Sequence, residues 1–300
     1  MHKTVNKHTE MKNYILILIL ISTFSCQSNK KEKDNENKWI PIWNGNDLSG
    51  WHSYLGTPYN LKIDSLGETI DPFGIDYDPL EVIKVIETDQ ENVIRISGVA
   101  WGMIYTEKKF KNYHLKLKVK WGEDMHIPRE KGPRDSGLLY HGFGEPGSAY
   151  DWMGSQELQI QQGDMGDYWP VGDVEIDIPS IPYKDKYYIY KKDANLRTYY
   201  SAEILETAIQ DSLAKRRVFK ALDAEKPHGQ WNDIELIVMN GNSIHMVNGK
   251  VVMRLFNSRI GSSQKPLHSG RIILQSEGAE VYYKDIYIKY IREIPEEFKQ

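Results

Sequence analysis

Residues 155–162 read SQELQIQQ and place carboxyl and carboxamide side chains at alternate positions. Alternate side chains of a β-strand point to the same face, so the pattern predicts that Glu157, Gln159 and Gln161 share one face. A glutamate whose pKa is raised by partial burial can act as a general base or acid, and neighbouring carboxamides can hydrogen-bond hydroxyl groups. The segment therefore predicts either a solvated strand face or the wall of a cleft for a polar ligand.

Four further residues could join such a cleft. His141 in LLYHGFG is a natural proton carrier because imidazole titrates near neutrality, although a hydrogen-bonded core histidine is the alternative. Asp167 and Trp169 in GDMGDYW suit a sugar cleft, where an aromatic face stacks on a pyranose ring, but the aspartate could also shape a turn. Glu277 in LQSEGAE could be a second carboxylate or could cap a turn, whereas His245, in a predicted hairpin, is expected to be exposed.

The segments that must position these residues are mostly strands. Residues 113–121, YHLKLKVKW, alternate apolar and polar side chains, and Asn-Gly pairs at 240–241 and 248–249 predict tight hairpins. Only residues 201–217 have a helix-friendly composition. Many short strands with tight turns predict an all-β antiparallel sandwich or jelly roll with a small helical or loop insertion.

Composition excludes several classes of function. The 300 residues have a formal net charge of −4 with both signs interspersed, so there is no basic footprint for a nucleic acid. The chain contains no P-loop, dinucleotide fingerprint, Gly-x-Ser-x-Gly elbow or His-Glu-x-x-His motif. Its one cysteine, Cys26, lies at the end of a signal-like segment, which excludes a cysteine nucleophile in the mature domain.

The N-terminal region predicts export. Residues 11–26, MKNYILILILISTFSC, resemble a signal whose apolar run is too short to span a bilayer. We interpret residues 1–26 as a lipoprotein signal lipidated at Cys26, with an ordinary cleaved secretory signal as the alternative. Residues 27–37 are then a polar tether and residues 38–294 the folded domain. This organisation predicts attachment to a bacterial cell envelope, in the periplasm or at the outer-membrane surface.

Five segments in order resemble the 3-keto-disaccharide hydrolase family. They begin with WNGNDLSGW and DSGLLYHGFG, continue with SQELQIQQGDMGDYW, and end with EKPHGQWNDIELIVMNGNSIHMVNGK and SGRIILQSEGAEVYYKDIYIK. The resemblance implies a concanavalin-like jelly roll that acts on glycosides whose C3 hydroxyl has been oxidised to a ketone. It also implies a separate sugar-oxidising enzyme upstream.

The resemblance implies cleavage through proton removal at C2, followed by elimination at C1 and addition of water. We expect Glu157 and His141 to do the acid–base work. We expect Gln159, Gln161, Asp167, Glu277 and Trp169 to bind the substrate. No cofactor is required by the sequence, although a divalent metal could stabilise the enolate. A non-catalytic carbohydrate-binding module and an ordinary two-carboxylate glycoside hydrolase remain the alternatives.

Overall fold

The computed structural model describes residues 38–59, 67–68, 70–184, 187–201 and 216–299. Nearly all of the regular structure in these residues is strand, and the bounds of the strands are β1 Ile40–Pro41, β2 Trp51–Leu55, β3 Gly74–Ile75, β4 Ile83–Thr88, β5 Glu91–Ile96, β6 Gly102–Thr106, β7 Phe110–Lys111, β8 Tyr113–Met125, β9 Asp135–Phe143, β10 Gly154–Gln161, β11 Tyr168–Val171, β12 Val174–Tyr183, β13 Tyr187–Tyr190, β14 Leu196–Tyr200, β15 Val218–Phe219, β16 Asn232–Met239, β17 Asn242–Val247, β18 Lys250–Ile260, β19 Ser269–Ser276 and β20 Ala279–Tyr290. One short 3-10 helix, Glu296–Phe298, follows β20.

The strands form two packed layers. The front sheet has the order β3–β2–β6–β19–β9–β10–β11–β15, and the back sheet has the order β4–β5–β20–β8–β16–β17–β18–β12–β14. Neighbours within both orders are antiparallel, while β13 pairs with β12 and runs parallel to β15, which joins the layers at one side. The predicted all-β antiparallel sandwich is confirmed.

The core lies between the two sheets. Leu138, Leu158 and Leu274 of the front sheet and Leu115 and Leu236 of the back sheet belong to one buried apolar cluster. Burying such side chains contributes about 25 cal/mol per Å² of apolar surface removed from water. Because side chains alternate, the residues next to these leucines in β9, β10 and β19 point away from the core, onto the outer face of the front sheet.

Both predicted Asn-Gly hairpins are present. Asn240 and Gly241 have φ angles of 48° and 80° between β16 and β17, and Asn248 and Gly249 have φ angles of 48° and 73° between β17 and β18. Positive φ at both central residues is what a tight turn between twisted strands requires. The small helical or loop insertion expected over residues 201–217 falls mostly on residues 202–215, which lie outside the described residues.

A β-bulge interrupts β9 at His141. Leu139 pairs with Ile273 of β19, but Gly142 pairs with Arg271, so β9 has one extra residue over this stretch. His141 takes up the extra residue with a φ of 58°. A bulge of this kind reverses the alternation of side chains beyond it, so His141 no longer shares a face with Leu139.

The N-terminal expectations concern residues 1–37, which lie outside the described residues. Within the described part, no helix has both the length and the apolar composition needed to cross a membrane.

Candidate active site

A cavity of about 400 Å³ lies on the outer face of the front sheet, across β11, β10, β9 and β19. It is open on one side and is lined by three carboxyl groups, three carboxamides, three arginines and the aromatic rings of Tyr150, Trp152 and Trp169. Pockets for small ligands usually place a few convergent polar groups among aromatic side chains. This cavity has that composition.

Strand register places the polar side chains side by side. Glu157 of β10 lies opposite Leu139 of β9 and Trp169 of β11. One pair further along, Gln159 lies opposite Gly137. A Cβ atom at Gly137 would overlap both Glu157 Oε1 and the side-chain oxygen of Gln275. The absence of a side chain at position 137 therefore lets a carboxyl and a carboxamide from different strands meet at the floor of the cavity.

Three carboxyl groups share the cavity with Arg129. The Arg129 guanidinium forms ion pairs with Glu277 and with Asp135 Oδ2, the latter at 2.5 Å. Asp135 Oδ2 also accepts a hydrogen bond of 2.5 Å from Gln161. Glu157 interacts with Arg129 and Arg216 only through longer-range charge interactions, which leaves its carboxyl group available to a ligand.

Burial and mutual repulsion raise the pKa of these carboxyl groups. The pKa of Glu157 is raised well above its usual value, first by burial and then by the charges of Glu277 and Asp135. Burial also raises the pKa of Asp135 well above its usual value, and Arg129 opposes the shift. The pKa of Glu277 is raised by burial, but its direct ion pair with Arg129 opposes that rise. Carboxyls in such an arrangement hold protons at higher pH than usual, so the cavity can contain both an acid and a base.

Unpaired buried polar atoms are concentrated at this cavity. Within the described residues, its acceptors without a hydrogen-bond partner are Asp135 Oδ1, Gln159 Oε1 and Gln275 Oε1, and its donors without one are Arg129 Nε, Trp169 Nε1 and Arg216 Nε. A buried polar group without a partner costs about 1–3 kcal/mol, so such groups are rare unless they serve a ligand. A ligand that both donates and accepts hydrogen bonds at many positions, as a sugar does, would satisfy this set.

The structure brings together five of the residues selected from the sequence, which are Glu157, Gln159, Gln161, Trp169 and Glu277. Glu157 and Gln159 are almost completely buried at the floor of the cavity, although the solvated-face alternative would have left them exposed. The shared face expected for residues 157, 159 and 161 is therefore observed.

His141 does not line the cavity. The bulge turns its side chain toward the interior of the sandwich, where Nδ1 lies 3.4 Å from Ser258 Oγ. Burial, with a smaller contribution from the charge of His268, lowers the pKa of His141 to about 3. An imidazole in this position is neutral at physiological pH and is out of reach of a ligand in the cavity. We therefore leave His141 out of the proposed catalytic machinery.

Asp167 does not line the cavity either. It is fully buried and accepts hydrogen bonds from Arg217 Nε and a terminal nitrogen of Arg217 at 2.9 and 2.7 Å, and from the Lys220 backbone N–H at 2.9 Å. Burial raises the pKa of Asp167 to about 6 against the opposing charge of Arg217. Its contribution is to hold Arg217, which does line the cavity, rather than to contact a ligand.

Sequence reasoning missed Asp135, Arg129 and Arg216. Asp135 is the first residue of β9 and shares the period-2 face of Gly137 and Leu139, so strand alternation alone could have identified it. Arg129 lies in the connection between β8 and β9, and Arg216 comes just before β15. No local pattern marks either arginine, because both reach the cavity through tertiary contacts.

The histidine expected to be exposed in the β17 hairpin is also buried. His245 has no exposed surface, and its Nε2 lies 3.1 Å from the Tyr140 hydroxyl group in the sandwich interior. The expectation was wrong because β17 lies between β16 and β18 in the back sheet, and the His245 side chain points into the interior of the sandwich.

Among the described residues, no group of three or more His, Cys, Asp or Glu side chains has a geometry that could hold a metal ion. In the cavity, the Arg129 guanidinium lies between the carboxyl groups of Asp135 and Glu277. The divalent metal considered from the sequence therefore stays a prediction that only an experiment can test.

A second groove of about 690 Å³ lies on the outer face of the back sheet, beside Trp39 and Tyr287. Although it is larger, several of its polar side chains have partners within the protein. Lys118 forms an ion pair with Asp233, and Lys116 lies over the Trp39 ring at 4.3 Å. The front-sheet cavity, with its unpaired polar atoms, is the better candidate site.

A comparison with family models identifies one family. The model of a family described as a 3-keto-alpha-glucoside-1,2-lyase-like domain matches residues 38–289. A comparison with curated proteins gives no match.

Several solved structures are similar at low sequence identity. A proposed glycosyl hydrolase from Parabacteroides distasonis is 18% identical, with 87% of this chain and 96% of that chain covered and a TM-score of 0.47. A GH16 protein of Bacteroides ovatus, in complex with a product, is 12% identical, with coverages of 84% and 98% and a TM-score of 0.40. The carbohydrate-binding module CBM66 of Bacillus subtilis is 7% identical, with coverages of 68% and 90% and a TM-score of 0.37. None of these likenesses assigns a function to this chain.

The family match extends over every strand that contributes to the cavity, and it agrees with the resemblance found in the five sequence segments. The chain belongs to the 3-keto-disaccharide hydrolase family, whose model describes a 3-keto-alpha-glucoside-1,2-lyase-like domain.

Proposed function

We propose that this protein cleaves 3-keto-glycosides in its front-sheet cavity, by proton removal at C2 of the oxidised sugar. A ketone at C3 acidifies the C2 proton, so a base can remove it and form an enolate. The C1–O bond then breaks, the departing oxygen takes up a proton, and a C1=C2 double bond remains beside the ketone. Addition of water across that double bond completes a net hydrolysis.

The cavity can supply a base and an acid for this route. Glu157 removes the C2 proton, because it is the cavity carboxyl without a direct ion pair to Arg129, and its raised pKa makes it a stronger base than an ordinary glutamate. Asp135 supplies the proton to the departing oxygen, because its pKa is also raised and its Oδ1 is buried without a partner. Glu277 forms a direct ion pair with Arg129, which opposes the rise in its pKa that burial causes.

The remaining groups bind the sugar and the developing charge. Arg129 Nε, Arg216 Nε and Trp169 Nε1 are unpaired donors that could stabilise an enolate oxygen at C3. Gln159 and Gln275 offer unpaired acceptors for sugar hydroxyl groups. The Trp169 ring, over which the guanidinium groups of Arg216 and Arg217 lie, forms the aromatic wall of the cavity on the β11 side.

The observation that supports the proposal most strongly is the set of unpaired donors and acceptors around a buried carboxyl with a raised pKa. A binding module needs hydrogen-bonding groups but no titratable base. A perturbed carboxyl beside a specific charge partner in a cleft is typical of catalysis.

The first experiment is a paired turnover assay on a nitrophenyl glucoside and its 3-keto counterpart, with and without a chelator. We expect release of nitrophenol from the 3-keto compound alone. Release from the unoxidised glucoside would instead indicate two-carboxylate hydrolysis, which the three carboxyl groups of the cavity could also support. Release from neither compound would favour the carbohydrate-binding module, and a loss of activity with chelator would show a metal requirement.

The Glu157→Gln variant tests the role of the base. We expect kcat on the 3-keto compound to fall by about 10²–10⁴-fold, because a positioned general base typically contributes that much. Binding of the sugar should be retained, since glutamine keeps the size of the side chain. Glu87→Gln on the exposed part of β4 is the matched control and should behave as the wild type. Equal activity of the two variants would contradict the assignment of Glu157.

The ketone must come from another protein, because this chain has no dinucleotide fingerprint.

We also propose that lipidation at Cys26 attaches the domain to the bacterial cell envelope. The apolar segment before Cys26 and the polar tether after it support this proposal. Expression of wild type and Cys26→Ala in a bacterial host, with metabolic fatty-acid labelling, measures this. Labelling of the wild type alone is expected, and labelling of both or neither would contradict it.

A further inference from the structure

An aromatic arc extends from the cavity toward the β2 edge of the front sheet. Trp152 of the cavity wall stacks on Trp101, with ring centroids 5.7 Å apart and an interplanar angle of 22°. Trp101 in turn lies 6.3 Å from Tyr59, and Tyr150 lies 6.2 Å from Trp152 on the cavity side. We call the surface formed by Tyr59, Trp101, Tyr150 and Trp152 the aromatic ledge.

The aromatic ledge extends beyond the cavity in the same direction across the strands of the front sheet. The cavity crosses the sheet from Trp169 on β11 to Glu277, the residue after β19. The next strand in the sheet is β6, where Gly102 pairs with Ser276, so Trp101 lies beside Glu277. Tyr59 follows β2, the strand beyond β6. Neighbouring strands are about 4.8 Å apart, so the ledge lengthens the polar site by about 10 Å in the same direction.

The ledge is held in place by the connection between β9 and β10. Trp152 Nε1 donates a hydrogen bond of 2.8 Å to the Gly102 carbonyl oxygen. Two backbone hydrogen bonds join Ala149 and Trp152, from the Trp152 N–H to the Ala149 carbonyl oxygen at 3.0 Å and from the Ala149 N–H to the Trp152 carbonyl oxygen at 3.1 Å. They form a tight turn with Tyr150 at its tip. A platform fixed in this way loses little conformational entropy when a ligand binds.

The two ends of the ledge are exposed. Tyr150 is 50% exposed and Tyr59 is 45% exposed, although the rings between them are more covered. Single exposed aromatic residues are common on protein surfaces and need no explanation. Here the exposed rings are joined by ring contacts to the wall of a cavity that has unpaired donors and acceptors, and this continuity indicates a ligand longer than the cavity.

Polar groups accompany the rings, as sugar recognition requires. A Cβ atom at Gly56 would overlap the Asp151 carboxyl group, so Asp151 lies directly against the Gly56 backbone. The Gly56 N–H donates to the Trp101 carbonyl oxygen at 2.8 Å, which places this carboxylate beside the ledge. Aromatic faces for the C–H surfaces of a pyranose and a carboxylate for its hydroxyl groups are therefore adjacent.

We infer that the aromatic ledge binds the leaving-group sugars of an oligosaccharide of three or more residues, whose oxidised sugar at the non-reducing end occupies the cavity. This inference rests on the proposed function. The oxidised sugar lies at the chain end because the guanidinium groups of Arg216 and Arg217 lie over the Trp169 ring on the β11 side of the cavity, at 5.4 and 5.6 Å from the ring centroid, while aromatic surface continues on the ledge side. The natural substrate is then a glycan fragment rather than a disaccharide.

The test is a chain-length series of glucose substrates with a 3-keto sugar at the non-reducing end, from methyl 3-keto-glucoside to the tetrasaccharide. Both α-1,4 and β-1,4 series are used. For the wild type, kcat/KM should rise from the disaccharide to the tetrasaccharide in at least one series. In Tyr59→Ala, the ratio of kcat/KM on the tetrasaccharide to that on the methyl glycoside should fall roughly three- to tenfold, as expected for the loss of one aromatic contact.

Tyr77→Ala is the matched control, because Tyr77 is 60% exposed and lies outside the ledge. Its ratio should equal that of the wild type. A flat length dependence in both series, or an equal loss on all substrates in Tyr59→Ala, would overturn the inference while leaving the proposed function intact.

Absence of turnover on every 3-keto compound would instead reject the proposed function. Calorimetric affinities for the unoxidised di- to tetrasaccharides would then decide the role of the ledge. Affinity that increases with length in the wild type and less in Tyr59→Ala would support the ledge as a glycan-binding surface, and affinity independent of length would reject it.

Discussion

The polar side chains on the two faces of β9 and β10 differ in their hydrogen bonding. On the interior face, the Tyr140 hydroxyl group lies between Ser243 Oγ at 2.8 Å and His245 Nε2 at 3.1 Å. The Tyr168 hydroxyl group of β11 donates to Gln156 Oε1 at 2.6 Å on the same side. On the outer face, Gln159 and Asp135 keep buried oxygen atoms without a partner. The hydroxyl groups of Tyr140 and Tyr168 are thus paired within the protein, whereas Gln159 Oε1 and Asp135 Oδ1 on the outer face have no partner among the described residues.

Burial also acts on titratable groups of opposite type on the two faces. In the interior it lowers the pKa of His141 and His245 to about 3, so both imidazoles are neutral at physiological pH. In the cavity it raises the pKa of Glu157 and Asp135, which favours their neutral acids. Desolvation disfavours the charged form in each case, so burial keeps the interior imidazoles neutral and makes the cavity carboxyls bind protons more tightly than exposed carboxyls do.

The largest expected effect comes from filling the space over Gly137. In Gly137→Ala, the new Cβ would displace the Glu157 carboxyl and the Gln275 carboxamide, so we expect kcat/KM to fall by at least about 10²-fold, as for a misplaced catalytic group. Overpacking should cost about 1–3 kcal/mol of stability. Turnover of a 3-keto-glycoside and urea unfolding measure the two effects.

Gly132→Ala is the matched control for that change. A Cβ at Gly132 would meet its nearest neighbour, the Arg129 carbonyl oxygen, at an ordinary 3.6 Å. Wild-type activity in Gly137→Ala, with Gly132→Ala also unaffected, would show that the floor of the cavity is not the reactive region.

A smaller effect, on stability alone, is expected on the interior face. In Tyr140→Phe, Ser243 Oγ and His245 Nε2 lose their shared partner, so the free energy of unfolding should decrease by about 1–3 kcal/mol. The kcat of the folded protein should stay at the wild-type value, because Tyr140 points away from the cavity. A loss of kcat comparable to that of Gly137→Ala would show that the two faces are coupled.

A further effect on stability concerns acid pH. His141 has a pKa of about 3 in the folded state, against about 6.5 in an unfolded chain, so its stabilising contribution is complete above pH 6.5 and is lost as the pH falls toward 3. The loss can reach about 1.4 kcal/mol per pH unit for each buried histidine. Urea unfolding between pH 7.5 and 4.5 should show a shallower decline in His141→Gln than in the wild type. The exposed His228→Gln variant is the control, and identical slopes in all three proteins would contradict the prediction.

Local pattern predicted the fold and one strand of the site. Alternation over residues 155–162 correctly grouped Glu157, Gln159 and Gln161, because strand geometry fixes which side chains share a face. The Asn-Gly pairs correctly predicted two hairpins, because the tight turns need positive φ at both central residues and this requirement is also local.

The remaining features depend on contacts between distant segments. The placement of His141 depends on a bulge against β19, and nothing within LLYHGFG shows the extra residue. Asp167 accepts a hydrogen bond from Arg217, which lies fifty positions further along the chain. The segment GDMGDYW therefore could not show whether the Asp167 carboxylate is available to a ligand. Arg129 reaches the carboxyl cluster from the loop between β8 and β9, with no periodicity to mark it.

The alternation along β10 also has an evolutionary consequence. Substitutions at Gln159 or Gln161 alter the lining of the cavity, whereas the neighbouring Leu158 and Ile160 belong to the hydrophobic core. A lineage can therefore change the lining of the cavity one residue at a time without acquiring a new way to fold. The same separation makes the outer positions of this strand suitable for a saturation library in which most members remain soluble.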